Sequence, residues 1–293
     1  MRSLALLLLG VAVITGLPCR AEVMVRDDMG AELRLAAPAR RIVSLAPHLT
    51  ELLFAAGAGD KVVGSVDYSN YPPAAKILPR IGSYAQLDLE AILALKPDLV
   101  VGWQSGNPPA AIDRLRRLGL QVFINQSDRI EDVARALEQL GRLAGSEAQA
   151  DAASTAFRAR LAALRSRYGG KPVVRTFYQV WHQPLMTVGG HQVISDLLRV
   201  CGGENVFAQL APLAPAVTVE AVIAADPEAI VASGMDEARP EWLEDWRRWQ
   251  RMTAVRRDNL FFVPPDLMQR HTPRLLDGAE LLCKHLETAR GRR

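Results

Sequence analysis

Leu87-Asp-Leu-Glu-Ala-Ile-Leu-Ala-Leu-Lys-Pro-Asp-Leu-Val-Val-Gly102 can be laid over Val217-Thr-Val-Glu-Ala-Val-Ile-Ala-Ala-Asp-Pro-Glu-Ala-Ile-Val-Ala232 at a single offset, without a gap. In each copy a polar residue, Asp88 or Thr218, is placed to cap a short helix. The helix must stop ahead of Pro97 or Pro227, because a proline steers the residue before it away from helical backbone angles. An unbroken apolar run follows at once, the pattern of a strand covered on both faces. A fainter echo pairs Thr50-Glu51-Leu52-Leu53 with Ser195-Asp196-Leu197-Leu198, running on to Gly57 and Gly202. One helix-and-strand unit written twice predicts two similar lobes.

The surrounding sequence follows the same grammar. Arg41 to Leu45, Val62 to Val66, Leu99 to Trp103 and Val122 to Asn125 read as buried strands separated by helical patterns. The alternation resumes at Val173 to Val180, Ala229 to Ser233 and Leu260 to Val263. This is an α/β chain. Between the halves, Ile130 to Tyr168 lacks proline and β-branched clusters and is rich in Ala, Leu, Arg and Glu, so it should be mostly helix. With 293 residues, 49% of them hydrophobic, the chain exceeds what one core usually fills.

Arg2 precedes an apolar stretch from Leu4 to Leu17, too short to cross a bilayer comfortably, and small residues at Cys19 and Ala21 suit a signal peptidase. Export and cleavage after Ala21 are expected; Pro18 argues against acylation of Cys19. Removing residues 1–21 leaves 33 basic against 32 acidic side chains, a near-neutral protein with no basic run suited to nucleic acid. No later segment is apolar enough to span a membrane. Cys201 and Cys283 would then meet oxidising conditions that favour a disulfide, two separate buried thiols being the alternative.

Glu90 and Glu220 hold the same place in the two copies, at the second position of each helix. A carboxylate in a first turn favours the helix dipole by a few tenths to about 1 kcal/mol, which accounts for either alone. Two at equivalent lobe tips would also form a two-point electrostatic dock for a partner.

Four blocks together, Arg41 to Gly57, Asp67-Tyr-Ser-Asn-Tyr-Pro-Pro73, Leu89 to Val101 and Cys201-Gly-Gly-Glu-Asn-Val-Phe207, resemble the cobalamin-binding periplasmic proteins of ABC importers, in order and across both halves. The resemblance implies a class III periplasmic binding protein: two Rossmann-like α/β lobes, at 22–145 and 171–293, joined by a single long rigid helix within 146–170. It implies a monomeric carrier, not an enzyme, that takes cobalamin or a related corrinoid as transport ligand, with no cofactor of its own. It further implies delivery in the periplasm to an inner-membrane ABC permease with its ATPase. The family's docking glutamates fall on Glu90 and Glu220, and its disulfide on Cys201 and Cys283.

The family's aromatic cage suits a corrin, a broad apolar disc with amide edges. Tyr68, Tyr84 and Trp103 carry it over, whereas Val180, Met186 and Ala214 stand where aromatic residues are expected. Tyr178, Trp181 and His182 lie beside the altered positions, Met186 is a flexible filler, and Asp266 and Arg270 keep the rim. An iron-siderophore or haem receptor of the same architecture is the alternative, and siderophore binding would require cationic side chains converging on the cleft.

Other features yield to plainer accounts. Trp242, Trp246 and Trp249 are spaced by four and three, one helical face packed on the core. No two of His48, His182, His191, His271 and His285 have tight metal-ligand spacing, although His182 or His271 is placed to approach the metal of a bound corrin. Gly189-Gly190 and Gly202-Gly203 form neither a phosphate loop nor a dinucleotide fingerprint.

Overall fold

The computed structural model describes residues 22–234 and 238–293; the export signal and its cleavage after Ala21 lie outside the described residues. The first half comprises β1 (Val23–Arg26), β2 (Glu32–Leu35), β3 (Ile42–Ser44), α1 (Pro47–Ala55), β4 (Val62–Ser65), α2 (Leu89–Ala94), β5 (Leu99–Trp103), α3 (Pro109–Arg117), β6 (Val122–Asn125), α4 (Asp132–Ala144) and α5 (Glu147–Tyr168). The second comprises β7 (Val174–Gln179), β8 (Trp181–His182), β9 (Leu185–Met186), α6 (Val193–Val200), β10 (Gly203–Asn205), α7 (Val219–Ala225), β11 (Ala229–Ala232), α8 (Thr253–Arg256), β12 (Leu260–Phe262), α9 (Pro265–Met268) and α10 (Leu275–Gly291).

Each half builds a four-stranded parallel sheet, ordered β4-β3-β5-β6 and β10-β7-β11-β12. In both, the second strand of the half lies outside the first, and the third and fourth follow on the other side, so the repeat extends to topology. Asp88 accepts a hydrogen bond from the Ala91 N–H at 2.9 Å and Thr218 from that of Ala221 at 3.2 Å, as the capping pattern requires. Each short helix is followed by a residue with positive φ, Lys96 at 47° and Asp226 at 38°, directly ahead of its proline. The equivalent residues Ile92 and Val222, and Val100 and Ile230, are fully buried in equivalent clusters on one face of each sheet.

The opposite faces share one core. The expected long helical stretch is broken at Gly145, whose φ of 66° ends α4 and starts α5 in a new direction. On α5 the buried residues are Ala150, Ser154, Phe157, Leu161, Leu164 and Tyr168, a single stripe at alternating spacings of four and three. That stripe joins Leu137 and Leu140 of α4 to Leu197 of α6 and Leu282 of α10 in one cluster continuous from half to half. Arg160 on its outer face pairs with Asp277 at 2.8 Å and Glu280 at 2.7 Å. Opening a hinge here would break apolar packing. Buried Cys201 and Cys283 are joined as a disulfide that ties the end of α6 to α10.

The tryptophan expectation holds for two residues of three, Trp246 in the core and Trp242 packed against it. Residues 241–248 wind as a 3-10 helix, whose three-residue turn does not keep spacings of four and three on one face. Trp246 enters the core and donates to Gln179 at 2.7 Å, Trp242 is partly buried, and Trp249 is 40% exposed.

Candidate ligand-binding cleft

In each sheet the strand order reverses between the first and third strands, and ligands of open α/β sheets gather at the carboxyl ends of such strands. Trp103 ends β5, and Val180 follows β7. Both line one cavity of about 310 Å³ between the halves. The first half adds Ser105, Gln126, Ser127 and Asp128, and the second adds Val188, Ala214, Gln269 and His271 among others.

The first-half wall is aromatic and braced. The Trp103 ring meets His48 edge-on at 5.0 Å and Tyr84 at 5.7 Å. Behind it sits Asn107, only 4% exposed. Its Oδ1 accepts from the Trp103 N–H at 2.7 Å, while its Nδ2 donates to the carbonyls of Leu45 at 2.9 Å and Tyr84 at 2.8 Å. One amide thus fixes the end of β5, the turn after β3 and the loop that carries Tyr84. Sequence reading missed Asn107, because the residues it joins are remote along the chain.

The second-half wall is aliphatic. Two of the three altered cage positions, Val180 and Ala214, line the cavity with Val188 and Leu213, whereas Met186 does not. Trp181 and Met186 face each other across the β8–β9 hairpin and are partly buried. Tyr178, on β7 two residues before Val180, is fully enclosed in the core, where burial lifts its phenol above its ordinary range. It therefore packs instead of facing a ligand. His182 stacks on Trp242 at 5.6 Å, away from the cavity.

The rim is an ionic bridge between the halves. Buried Glu51, on α1, accepts from Arg270 at 2.8 Å and Thr272 at 3.2 Å and lies 3.4 Å from the Arg274 guanidinium. Arg270 also pairs with Asp266 at 2.9 Å and donates to Asn70 at 2.6 Å and the Tyr68 carbonyl at 3.1 Å. Arg274 lies over the Tyr71 ring at 3.9 Å. Residues 68–71 are thereby held against the second half, with Tyr68 at a strained φ of 62° and 78% exposed. Burial raises the Glu51 carboxyl above its ordinary range despite the two arginines. It lowers His48 to about 3 and His271 to about 4, so both imidazoles are neutral at pH 7. Glu90 and Glu220 are exposed at the starts of α2 and α7, with no ion-pair partner among the described residues.

Two parallel lobes with a shared spine and an interlobe cleft match a family model, periplasmic binding protein, over residues 42–267. The chain belongs to the periplasmic binding protein family. Its class III fold is shared with the crystal structure of the periplasmic vitamin B12 binding protein BtuF of Vibrio cholerae, at a TM-score of 0.80 and 36% identity over 86% of this chain and 98% of that one. The vitamin B12-binding protein of Vibrio cholerae serotype O1 is 37% identical over 253 residues, 86% of this chain and 91% of its own length. A periplasmic heme binding protein from Pseudomonas aeruginosa is 26% identical with a TM-score of 0.72, over 84% of this chain and 91% of that one. Each of these relatives is described as a binding protein. No helix among its described residues is long and apolar enough to cross a membrane.

Proposed function

We propose that this periplasmic binding protein is an exported, monomeric carrier that holds cobalamin or a related corrinoid between its lobes and hands it to an inner-membrane ABC permease with its ATPase. In this reading residues 22–145 and 171–293 are the lobes, 146–170 carries the connecting helix, and residues 1–21 are removed on export. The carrying observation is the cavity lining: an aromatic wall, an aliphatic wall and the amides of Gln126, Gln192 and Gln269, with neither lysine nor arginine among its described residues. An amide-edged corrin macrocycle matches that surface, whereas a siderophore or haem carboxylate would be desolvated there with no cation to meet it. Arg270 and Arg274 at the rim are already engaged by Glu51 and Asp266, and Arg129, Arg165 and Arg199, which line an adjoining cavity that shares Asp128, His191 and Leu213, pair with Glu131 and Asp196.

A cavity of about 310 Å³ encloses only part of so large a ligand. The remainder rests against Tyr68, Tyr84, Trp181 and Met186 at the mouth, beside the Asp266–Arg270 pair. Glu90 and Glu220, unpaired and in equivalent positions, serve as the docking carboxylates for permease arginines. Titration of the purified chain with cyanocobalamin and dicyanocobinamide should quench tryptophan fluorescence at micromolar ligand. No quenching by either, alongside a response to haemin or a ferric siderophore, would overturn the assignment.

A further inference from the structure

The connection from β11 to β12 carries Trp242, Trp246 and Trp249, whereas the corresponding connection in the first half, from β5 to β6, is built on α3 and has no aromatic residue between Gln104 and Gln121. Trp246 anchors the second-half segment: it is buried, meets Phe177 edge-on at 5.7 Å and donates to Gln179. Trp242 and Trp249, on either side of it in sequence, line one hollow of about 330 Å³. His182 belongs to the same wall and stacks on Trp242 with 14° between the rings. The main chain at Trp249 is fixed from both directions, its N–H donating to the Trp246 carbonyl and its own carbonyl accepting from Met252, each at 2.9 Å.

Glu220, at the second position of α7, lines that hollow too. It is exposed and has no ion-pair partner among the described residues. The other charged groups of the lining, Asp245 and Arg248, answer each other at 3.2 Å, and the Arg248 Nε also donates to the Asp245 carbonyl at 2.9 Å. One uncompensated carboxylate is thus left beside two indoles. A carboxylate and an aromatic face both attract a cation, and a planar guanidinium can stack on the ring while its N–H groups reach the carboxylate, which a compact ammonium does less well.

We propose that this hollow receives one arginine side chain of the permease, its guanidinium paired with Glu220 and packed against Trp249 and Trp242. This rests on the docking role of Glu90 and Glu220 and makes that role unequal: the second lobe holds its arginine with a carboxylate and indoles, whereas α3 supplies no aromatic counterpart on the first.

The test has two arms. The mature chain, labelled with nitrogen-15, is titrated with N-acetyl-arginine amide and, separately, with N-acetyl-lysine amide. The indole N–H signals of Trp249 and Trp242 should move about threefold more with the arginine probe, that of Trp246 should stay in place, and Glu220→Gln should remove the response. In vesicles holding the permease and its ATPase, Glu220→Ala and Trp249→Leu should each slow corrinoid uptake about fivefold, more than Glu90→Ala does, with corrinoid affinity unchanged by calorimetric titration. No shift, an equal response to both probes, a shift that survives Glu220→Gln, or uptake by Trp249→Leu at the wild-type rate overturns the arginine site and leaves the docking carboxylates standing. Uptake unaffected by Glu90→Ala and Glu220→Ala together defeats the docking reading, and this proposal with it.

Discussion

Glu51 offers the sharpest test of how the lobes are held at the cleft mouth. Changing it to alanine leaves Arg270 and Arg274 with one carboxylate, Asp266, at 2.9 and 3.9 Å, where two now serve them. Breaking a buried ion pair from one side typically costs about 3–5 kcal/mol. For a chain of this size that corresponds to a fall of roughly 6–20 °C in the unfolding midpoint. Differential scanning calorimetry of the wild type and Glu51→Ala at pH 7 measures it, and a fall under about 2 °C would refute the idea that this pairing sustains the interlobe contact. The pH dependence has a definite sign. Burial raises the folded-state pKa of Glu51 above its ordinary 4.5, so the folded protein binds the proton more tightly than the unfolded chain. The carboxyl's contribution is therefore greatest below the unfolded pKa and declines as pH rises through the folded one. The stability gap between wild type and Glu51→Ala should widen on acidification through that window. A gap that narrows would show the arginines outweighing desolvation.

Trp103→Ala removes the braced aromatic wall and should weaken corrinoid binding by about 2 kcal/mol or more, roughly 30-fold, in a calorimetric titration, with the circular dichroism spectrum unchanged. Glu90→Ala with Glu220→Ala, both exposed, should shift unfolding by no more than about 0.5 kcal/mol each and leave affinity intact, yet abolish uptake in reconstituted vesicles; a loss of affinity would count against a docking role. Replacing Cys201 and Cys283 with serine reopens a connection spanning 82 positions, and urea unfolding should register a loss of up to about 4.5 kcal/mol in the chain-entropy limit.

The repeat made most of the architecture legible, since capping by Asp88 and Thr218, termination ahead of Pro97 and Pro227 and burial of the following strands are all local chemistry. The two parts of the site that depend on distant neighbours stayed hidden. Asn107 carries no motif, and its meaning lies in bonds to positions 45, 84 and 103. Glu51 reads as part of a helix echoing Asp196, while its partners come more than two hundred residues later. Tyr178 and Val180 share a parity, and the end of their strand, Thr176 to Gln179, is buried on both faces, so nothing in the sequence says which of them lies past the sheet's edge. Trp249 misleads because the α-helical spacing that put it on one face with Trp242 and Trp246 gives way to a 3-10 helix that ends ahead of it.

Side-by-side isothermal titration of the mature chain with cyanocobalamin, dicyanocobinamide, haemin and a ferric hydroxamate bears most directly on what the cleft carries. One-to-one binding of the corrinoids at micromolar or lower concentration is expected, with haemin and the hydroxamate at least 100-fold weaker, about 2.7 kcal/mol, because the cavity lining holds no lysine or arginine among its described residues. Tighter binding of haemin or the hydroxamate than of either corrinoid would contradict it.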